Sequence, residues 1–338
     1  MKGQDQFFAF KTKILDYIDT FSIKCDNVPS LKDHFRTLVD YTTAGGKCHR
    51  GLLAVYGFLA ATGYDPDSKE AEPGYALGWI QEIFQASFLI PDDIMDNGTL
   101  RRGKPCWHLV EGKSCCAVSD GYFLENMLYY LIDHYFSYAS IQTRISMQNI
   151  ICQTTLYTSI GQYIDNAPKE PTLKNWELTV LNKTAYYSIW QPFLSGLIAS
   201  EKIPADVLNS PTLKEALLIA GVLFQCQDDW LDLYSNTQIM GKVGSDIQDG
   251  KVTWLFAKAI ELANEQQKAA LLANVGSKDE EKVNIVRKIY EELNINQECQ
   301  DYQEKLFKEF KEKAESFDPR IPKELTQFLI QFLDHRSH

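Results

Sequence analysis

The chain has 338 residues, 45% of them hydrophobic and 12% aromatic, and a formal net charge of −11 from 34 basic and 45 acidic side chains. That composition excludes a disordered, collagen-like or disulfide-scaffold chain, and an acidic balance without a basic stripe argues against nucleic acid or an anionic membrane surface as the main partner. No stretch reaches the ~20 apolar residues of a membrane span, and the start, MKGQDQFFAFKTKILDYIDTF, lacks the apolar core of a signal peptide, so a cytoplasmic protein is expected.

Apolar residues recur at three and four over 7–21, 75–89, 120–136, 213–233, 251–264 and 280–317, the period of helices that bury one face. Breakers fall between them at 27–29, 63–66, 167–171, 204–211 and 318–322. Pro322 stands just inside the start of KELTQFLIQFL, where proline is favoured. No alternating strand pattern of useful length, internal repeat or low-complexity linker interrupts the series. The expectation is all-α, with one domain over residues 1–338. QASFLI and GVLFQCQ are apolar nearly all round, which places their helices centrally. Eight cysteines, at 25, 48, 106, 115, 116, 152, 226 and 299, form no CxxC pair and no zinc spacing. Buried, reduced thiols are expected.

Two short segments dominate the chemistry. Asp92-Asp93-Ile-Met-Asp96 and Asp228-Asp229-Trp-Leu-Asp232 are both DDxxD, and each follows an apolar stretch directly. Positions i and i+4 share a helix face, so Asp92 lies with Asp96 and Asp228 with Asp232. Three carboxylates at the end of an apolar helix repel one another and oppose the helix dipole. A divalent cation relieves that cost. All-oxygen ligation suits Mg²⁺, which retains water and takes substrate phosphates as further ligands. Two solvated acidic helix ends would be the bland alternative; the repetition on two apolar helices disfavours it.

Cations accompany the acids. Arg101-Arg102-Gly103 follows the first motif, and Gly45-Gly46-Lys47 with Arg50 makes a glycine-rich turn. Lys183, Lys242 and Lys251 sit near the other motifs. Arginine matches phosphate through its planar fork and lysine acts as a point charge. In an acidic chain, this grouping suggests a diphosphate held between metal and basic groups. The GGK turn lacks Walker spacing and no strand precedes it, which excludes a P-loop NTPase.

The ordered motifs GGKxxRG, QxxFLxxDDIMDxxxxRRGxPCW, GQxxD, KTAxYS, FQxQDDxLD and GKxGxDIQDxKxxWL resemble the farnesyl diphosphate synthase family, over about residues 45 to 260. The resemblance implies an isoprenoid synthase-type helical bundle with a central apolar cavity, working as a homodimer. It implies a prenyltransferase that joins isopentenyl diphosphate to an allylic diphosphate. Asp92, Asp96 and Asp228 would bind three Mg²⁺ ions, for which Mn²⁺ or Co²⁺ substitutes. Asp93, Asp229, Asp232, Gln162 and Asp165 would support them, and Asp246 and Lys251 would complete the second metal and phosphate region. Arg101, Lys183 and Lys242 would hold the allylic diphosphate. Lys47, Arg50, Gln85 and Arg102 would hold isopentenyl diphosphate, with Phe224 against its chain. Lys183, Thr184, Tyr187 and Gln225 would border the reacting carbons.

Four positions depart from the family pattern. His49 replaces an asparagine in the GGK turn. Ser87-Phe88 replaces the Phe-Phe common in farnesyl-forming members. Ser87 lies just over one turn before Asp92 and forms, with Phe88, the floor beneath the allylic chain, so a serine there opens room for a geranylgeranyl product. Pro91 removes a helical hydrogen bond, clashes with the Ser87 carbonyl and is expected to kink the helix. The usual basic tail is reduced to Arg336. These departures keep two alternatives beside the elongating enzyme: a terpene synthase that ionises and cyclises a prenyl diphosphate without elongation, and a non-catalytic binding subunit.

Overall fold

The structure is a computed structural model and describes residues 3–20, 31–234 and 244–336. Cys25, the breaker at 27–29 and Lys242 lie outside the described residues. In chain order the helices are α1 (Gln4–Asp19), α2 (Leu31–Thr43), α3 (His49–Thr62), α4 (Glu72–Met95), α5 (Ala117–Tyr135), α6 (Ile141–Asn166), α7 (Leu173–Val180), α8 (Gln191–Ala199), α9 (Ala205–Leu208), α10 (Pro211–Tyr234), α11 (Asp246–Asp249), α12 (Trp254–Leu262), α13 (Glu265–Asn274), α14 (Glu280–Glu292), α15 (Ile295–Ala314) and α16 (Lys323–Asp334). A π-helical stretch, Leu181–Trp190, joins α7 to α8. Strands β1 (Leu100–Arg101) and β2 (Lys104–Pro105) make one small hairpin. The all-α expectation holds.

The chain divides into two compact units. The first comprises Met1–Gln153, Gln191–Asn209 and Asp318–Leu325. Its centre is α4, packed on α3 and α5, with α8 against α3. Phe7 stacks on Trp79 at 4.9 Å and its carbonyl accepts the indole N–H at 2.8 Å. Phe58, Phe84 and Phe193 are fully buried beside them, each contributing about 1.5–3 kcal/mol. A Cβ on Gly196 would stand 2.5 Å from the Ala54 carbonyl, so glycine is what lets α8 meet α3 backbone to backbone.

The second unit comprises Thr154–Trp190, Ser210–Phe317 and Thr326–His338. Here α10 packs on the π-helical stretch and on α15. Side-chain caps start several of its helices. Thr172 accepts from Asn175 N, Thr253 from Phe256 N, and Asn264 forms a reciprocal capping box with Gln267.

Several boundaries differ from the sequence reading. The 280–317 segment is two helices, because Asn294 takes a left-handed conformation, φ 54°, between α14 and α15. Pro322 stands one position before the first residue of α16. Helix α4 runs through Pro91 to Met95. The hairpin was not foreseen, since two-residue strands carry no alternation to read. Among the described residues the cysteines are free, and Cys48, Cys106, Cys226 and Cys299 are buried. Cys115, Cys116 and Cys152 are exposed, which corrects the expectation of buried thiols. The first two lie in a short turn before α5, and Cys152 lies on an exposed face of α6.

Candidate functional site

In the first unit the site begins at the end of α4. Asp93 is buried, and Arg101 Nε donates to both its oxygens, at 2.7 and 2.9 Å. Arg101 Nη2 reaches Asp92 Oδ2 at 3.1 Å. Burial disfavours the Arg101 charge, but hydrogen bonding and attraction from Asp93 and then Asp92 outweigh it and raise its pKa. Asp92 and Asp96 remain half-buried at the end of the helix. The arginines are aimed by the hairpin: Arg102 and Gly103 have φ of 54° and 74° in its two-residue loop. Left-handed geometry at an arginine is strained, and such strain clusters at functional positions.

Arg102 then turns to the glycine-rich loop. Its guanidinium donates to the carbonyls of Thr42 and Ala44 and to Gln85 Oε1, at 3.2–3.3 Å. A Cβ on Gly46 would lie 2.8 Å from its guanidinium carbon, so the bare backbone of the turn lets Arg102 pass beneath it. Lys47 is exposed and Arg50 half-buried. Under the turn sits Glu82, whose Oε1 accepts from Gly51 N at 2.8 Å. Burial raises its pKa, against the hydrogen bond from Gly51 and the fields of Arg50 and Arg102. Burial, helped by Glu82, also pushes the Cys48 thiol up to about 12. Ser87 and Phe88, expected from the sequence to form the floor, lie on α4. Ser87 is buried with its hydroxyl donated to the Phe84 carbonyl at 2.7 Å, and Phe88 meets Phe84 edge to face at 4.9 Å.

In the second unit the middle aspartate is again the buried one. Asp229 Oδ2 accepts from Trp176 Nε1 and from Trp254 N, both at 2.8 Å, and Oδ1 accepts from Gln225 Nε2 at 2.9 Å. Gln225 Oε1 in turn accepts from Thr184 Oγ1 at 2.8 Å. Burial lifts the Asp229 carboxyl to about 7 in spite of these donors. Asp228 is more open, and Arg336 Nη2 binds its Oδ1 at 2.9 Å. The same guanidinium lies 4.2 Å from the ring centre of buried Phe224. Asp232 Oδ2 accepts from the amide of Asp246, at the start of α11.

The π-helical stretch presents Lys183, Thr184 and Tyr187. Such helices are rare and recur at functional sites. A Cβ on Gly161 would overlap the Lys183 backbone, so α6 and this stretch touch main chain to main chain. Gln162 follows on α6, half-buried. Asp165, one turn after Gly161, pairs with Lys183 at 2.7 Å and Lys251 at 3.1 Å. Despite burial, the lysines hold its carboxyl well below the usual range.

The donor chemistry fits a hard divalent ion. Asp92 with Asp96, and Asp228 with Asp232, offer oxygen donors one turn apart at helix ends. Among the described residues no three acidic, histidine or cysteine groups converge on one point. Mg²⁺ takes one or two carboxylates and completes its shell with water and phosphate. Asp93 and Asp229, by contrast, already accept hydrogen bonds on both oxygens. Sequence reasoning did not single out Glu82, Lys169 or Trp176. Glu82 stands three positions before Gln85 on α4, a spacing that puts both on one helix side; Lys169 lies in the loop after α6, and nothing local marks it or Trp176.

Residues 32–293 match the family model described as Polyprenyl synthetase. The farnesyl pyrophosphate synthase of Schizosaccharomyces pombe is 31% identical over 319 residues, covering 92% of this chain and 89% of that one. The Saccharomyces cerevisiae farnesyl pyrophosphate synthase is 35% identical over 300 residues, covering 85% and 83%. A solved T. brucei farnesyl diphosphate synthase, complexed with a bisphosphonate, aligns with a TM-score of 0.88 at 29% identity, over 99% of this chain and 98% of that one.

Proposed function

The chain belongs to the polyprenyl synthetase family and is an isoprenyl diphosphate synthase, a prenyltransferase; from that premise we propose that it condenses isopentenyl diphosphate with dimethylallyl and geranyl diphosphates to give farnesyl diphosphate. One observation carries elongation over cyclisation. Arg102 packs under Gly46 and donates to Gln85 Oε1, and with Lys47 and Arg50 we read it as a second anion site, distinct in sequence from the Asp165 lysines. An enzyme acting on one prenyl diphosphate has no use for it.

In this reading Asp92, Asp96 and Asp228 would hold Mg²⁺, with Asp232, Asp246 and Gln162 in support. When bound, Mg²⁺ offsets negative charge on the departing diphosphate. Arg101, Lys183, Lys242 and Lys251 bind and orient the allylic diphosphate, and their charges favour heterolysis of the allylic carbon–oxygen bond. The electron pair leaves with diphosphate. Lys47, Arg50, Gln85 and Arg102 hold isopentenyl diphosphate so that its double bond meets the allylic carbon. The new carbon–carbon bond forms, and diphosphate accepts the proton then lost. Gln225, fixed between Thr184 and Asp229, with Tyr187 and Phe224, lines the path and excludes water that would quench the cation.

The homodimer is part of the proposal. Helix α6 exposes Ile141 and Ile145, and eleven positions on Leu156, Ile160 and Tyr163, all within one side of the helix by its 100° step, an apolar stripe suited to a second copy. Among the described residues no helix is long and apolar enough to cross a membrane.

The test is to incubate the protein with Mg²⁺, dimethylallyl diphosphate and isopentenyl diphosphate and to identify products by mass spectrometry. A C15 diphosphate is expected. A C20 product means Ser87 leaves the floor open, and S87F should then shorten it. Hydrocarbons from farnesyl diphosphate alone, with no elongation, would sink the proposal.

A further inference from the structure

Three lysines meet one carboxylate in the second unit, and they divide its oxygens unequally. Asp165 Oδ2 takes both Lys183 and Lys251, while Oδ1 faces Lys169 Nζ at 3.4 Å. Lys169 does more than pair. Its ammonium donates to the carbonyls of Ile164 and Asp165, at 2.9 and 2.8 Å, in the last turn of α6. An ammonium has three protons, and these three acceptors account for them. The side chain is only 10% exposed. Lys169 is therefore committed to the end of α6 and does not reach out to a ligand.

That commitment acts on its neighbours. A cation at a helix C-terminus is favourable, and here it also fixes the side chain of the residue whose carbonyl it binds. With Oδ1 engaged by Lys169, Lys183 and Lys251 converge on Oδ2 and are set side by side. Lys183 comes from the π-helical stretch and Lys251 from the segment after α11, so Asp165 is the joint between them. Three cations against one anion leave a surplus of two positive charges in a poorly exposed cluster, which suits a diphosphate.

We propose that Lys169 is a positioning residue: by binding Asp165 Oδ1 and the last carbonyls of α6, it fixes the carboxylate that aligns Lys183 and Lys251 for the allylic diphosphate. This rests on the function proposed above. Without Lys169, both Asp165 oxygens turn to the two lysines and weaken their hold on the substrate.

The experiment compares the unaltered protein with K169M, K169R, D165N and D165N/K169M. Steady-state kinetics use geranyl and isopentenyl diphosphates, calorimetry measures inorganic pyrophosphate binding, and thermal melts report the fold. For K169M the KM for geranyl diphosphate should rise about tenfold, the scale of one charge-assisted bond. Pyrophosphate should bind weaker by a similar factor, while the KM for isopentenyl diphosphate should stay within about twofold. K169R should restore most of the loss, and K169M should add nothing in the D165N background. Unchanged geranyl diphosphate KM and pyrophosphate affinity in K169M would overturn the proposal. So would equal losses for both substrates that follow the melting temperature, or additive losses with D165N. If the unaltered protein forms no prenyl diphosphate yet shows the Lys169-dependent pyrophosphate binding, the function fails while the positioning role stands.

Discussion

Within each DDxxD the neighbouring carboxylates have opposite surroundings. Asp93 and Asp229 are buried and hydrogen-bonded on both oxygens, whereas Asp92 and Asp228 stay accessible. Adjacent helical positions differ by about 100° in direction, so one side chain can anchor the helix end while the next meets solvent. Glu82 is a third buried acid and offers a clean test. Burial raises its folded-state pKa above the ordinary glutamate value. Its contribution to stability is full below that ordinary value and is lost as pH rises through the raised one, at about 1.4 kcal/mol per tenfold change in proton affinity. E82Q keeps an oxygen for Gly51 N but cannot ionise. Its melting temperature should therefore fall less than the parent's as pH rises above the ordinary glutamate value of about 4.3. An identical pH slope in the two proteins would place the titration elsewhere.

At the scale of elements, the contact between α6 and the π-helical stretch depends on the missing side chain at Gly161. G161A should overpack that contact by about 3 kcal/mol and displace Lys183 from Asp165. The expected result is a lower melting temperature together with a higher KM for the allylic substrate. A variant that melts and turns over like the parent would mean the two segments separate freely. Helical period made α4, α5, α10 and α12 legible in the sequence, because an apolar face repeats locally. The DDxxD carboxylates were legible from their place at the ends of such apolar stretches, and the RRG cations from their nearness in sequence to the first of them. The roles inside each motif were not, since burial of Asp229 is set by Trp176, 53 positions away. Nor was the hairpin, whose signal is only an Arg-Gly pair with positive φ. Lys169 escaped notice because its partners are backbone carbonyls, which every sequence has.

For the molecule as a whole, the apolar stripe on α6 sits oddly on a chain with a net charge of −11. Charge favours dispersal of copies, and exposed Leu156 and Ile160 favour their pairing. L156E places a like charge on the stripe of each copy. On the homodimer proposed above, the parent should sediment as a dimer and L156E as a monomer, with helical content unchanged by circular dichroism. Unaltered sedimentation of L156E would remove α6 from the interface.

Arg336 carries a consequence for how ligand occupancy is communicated. Its guanidinium holds Asp228 at 2.9 Å and lies over Phe224, residues given to the metal and to the isopentenyl chain in the proposed reaction. An arginine and a divalent ion compete for one carboxylate oxygen, so occupancy by either weakens the other by the same factor. On the proposed assignment of Asp228 to Mg²⁺, loading of the ion and release of the Arg336 guanidinium are then one equilibrium seen from two ends. Ionic strength, which screens the arginine pair, would enter the apparent metal affinity through a residue that never touches the metal.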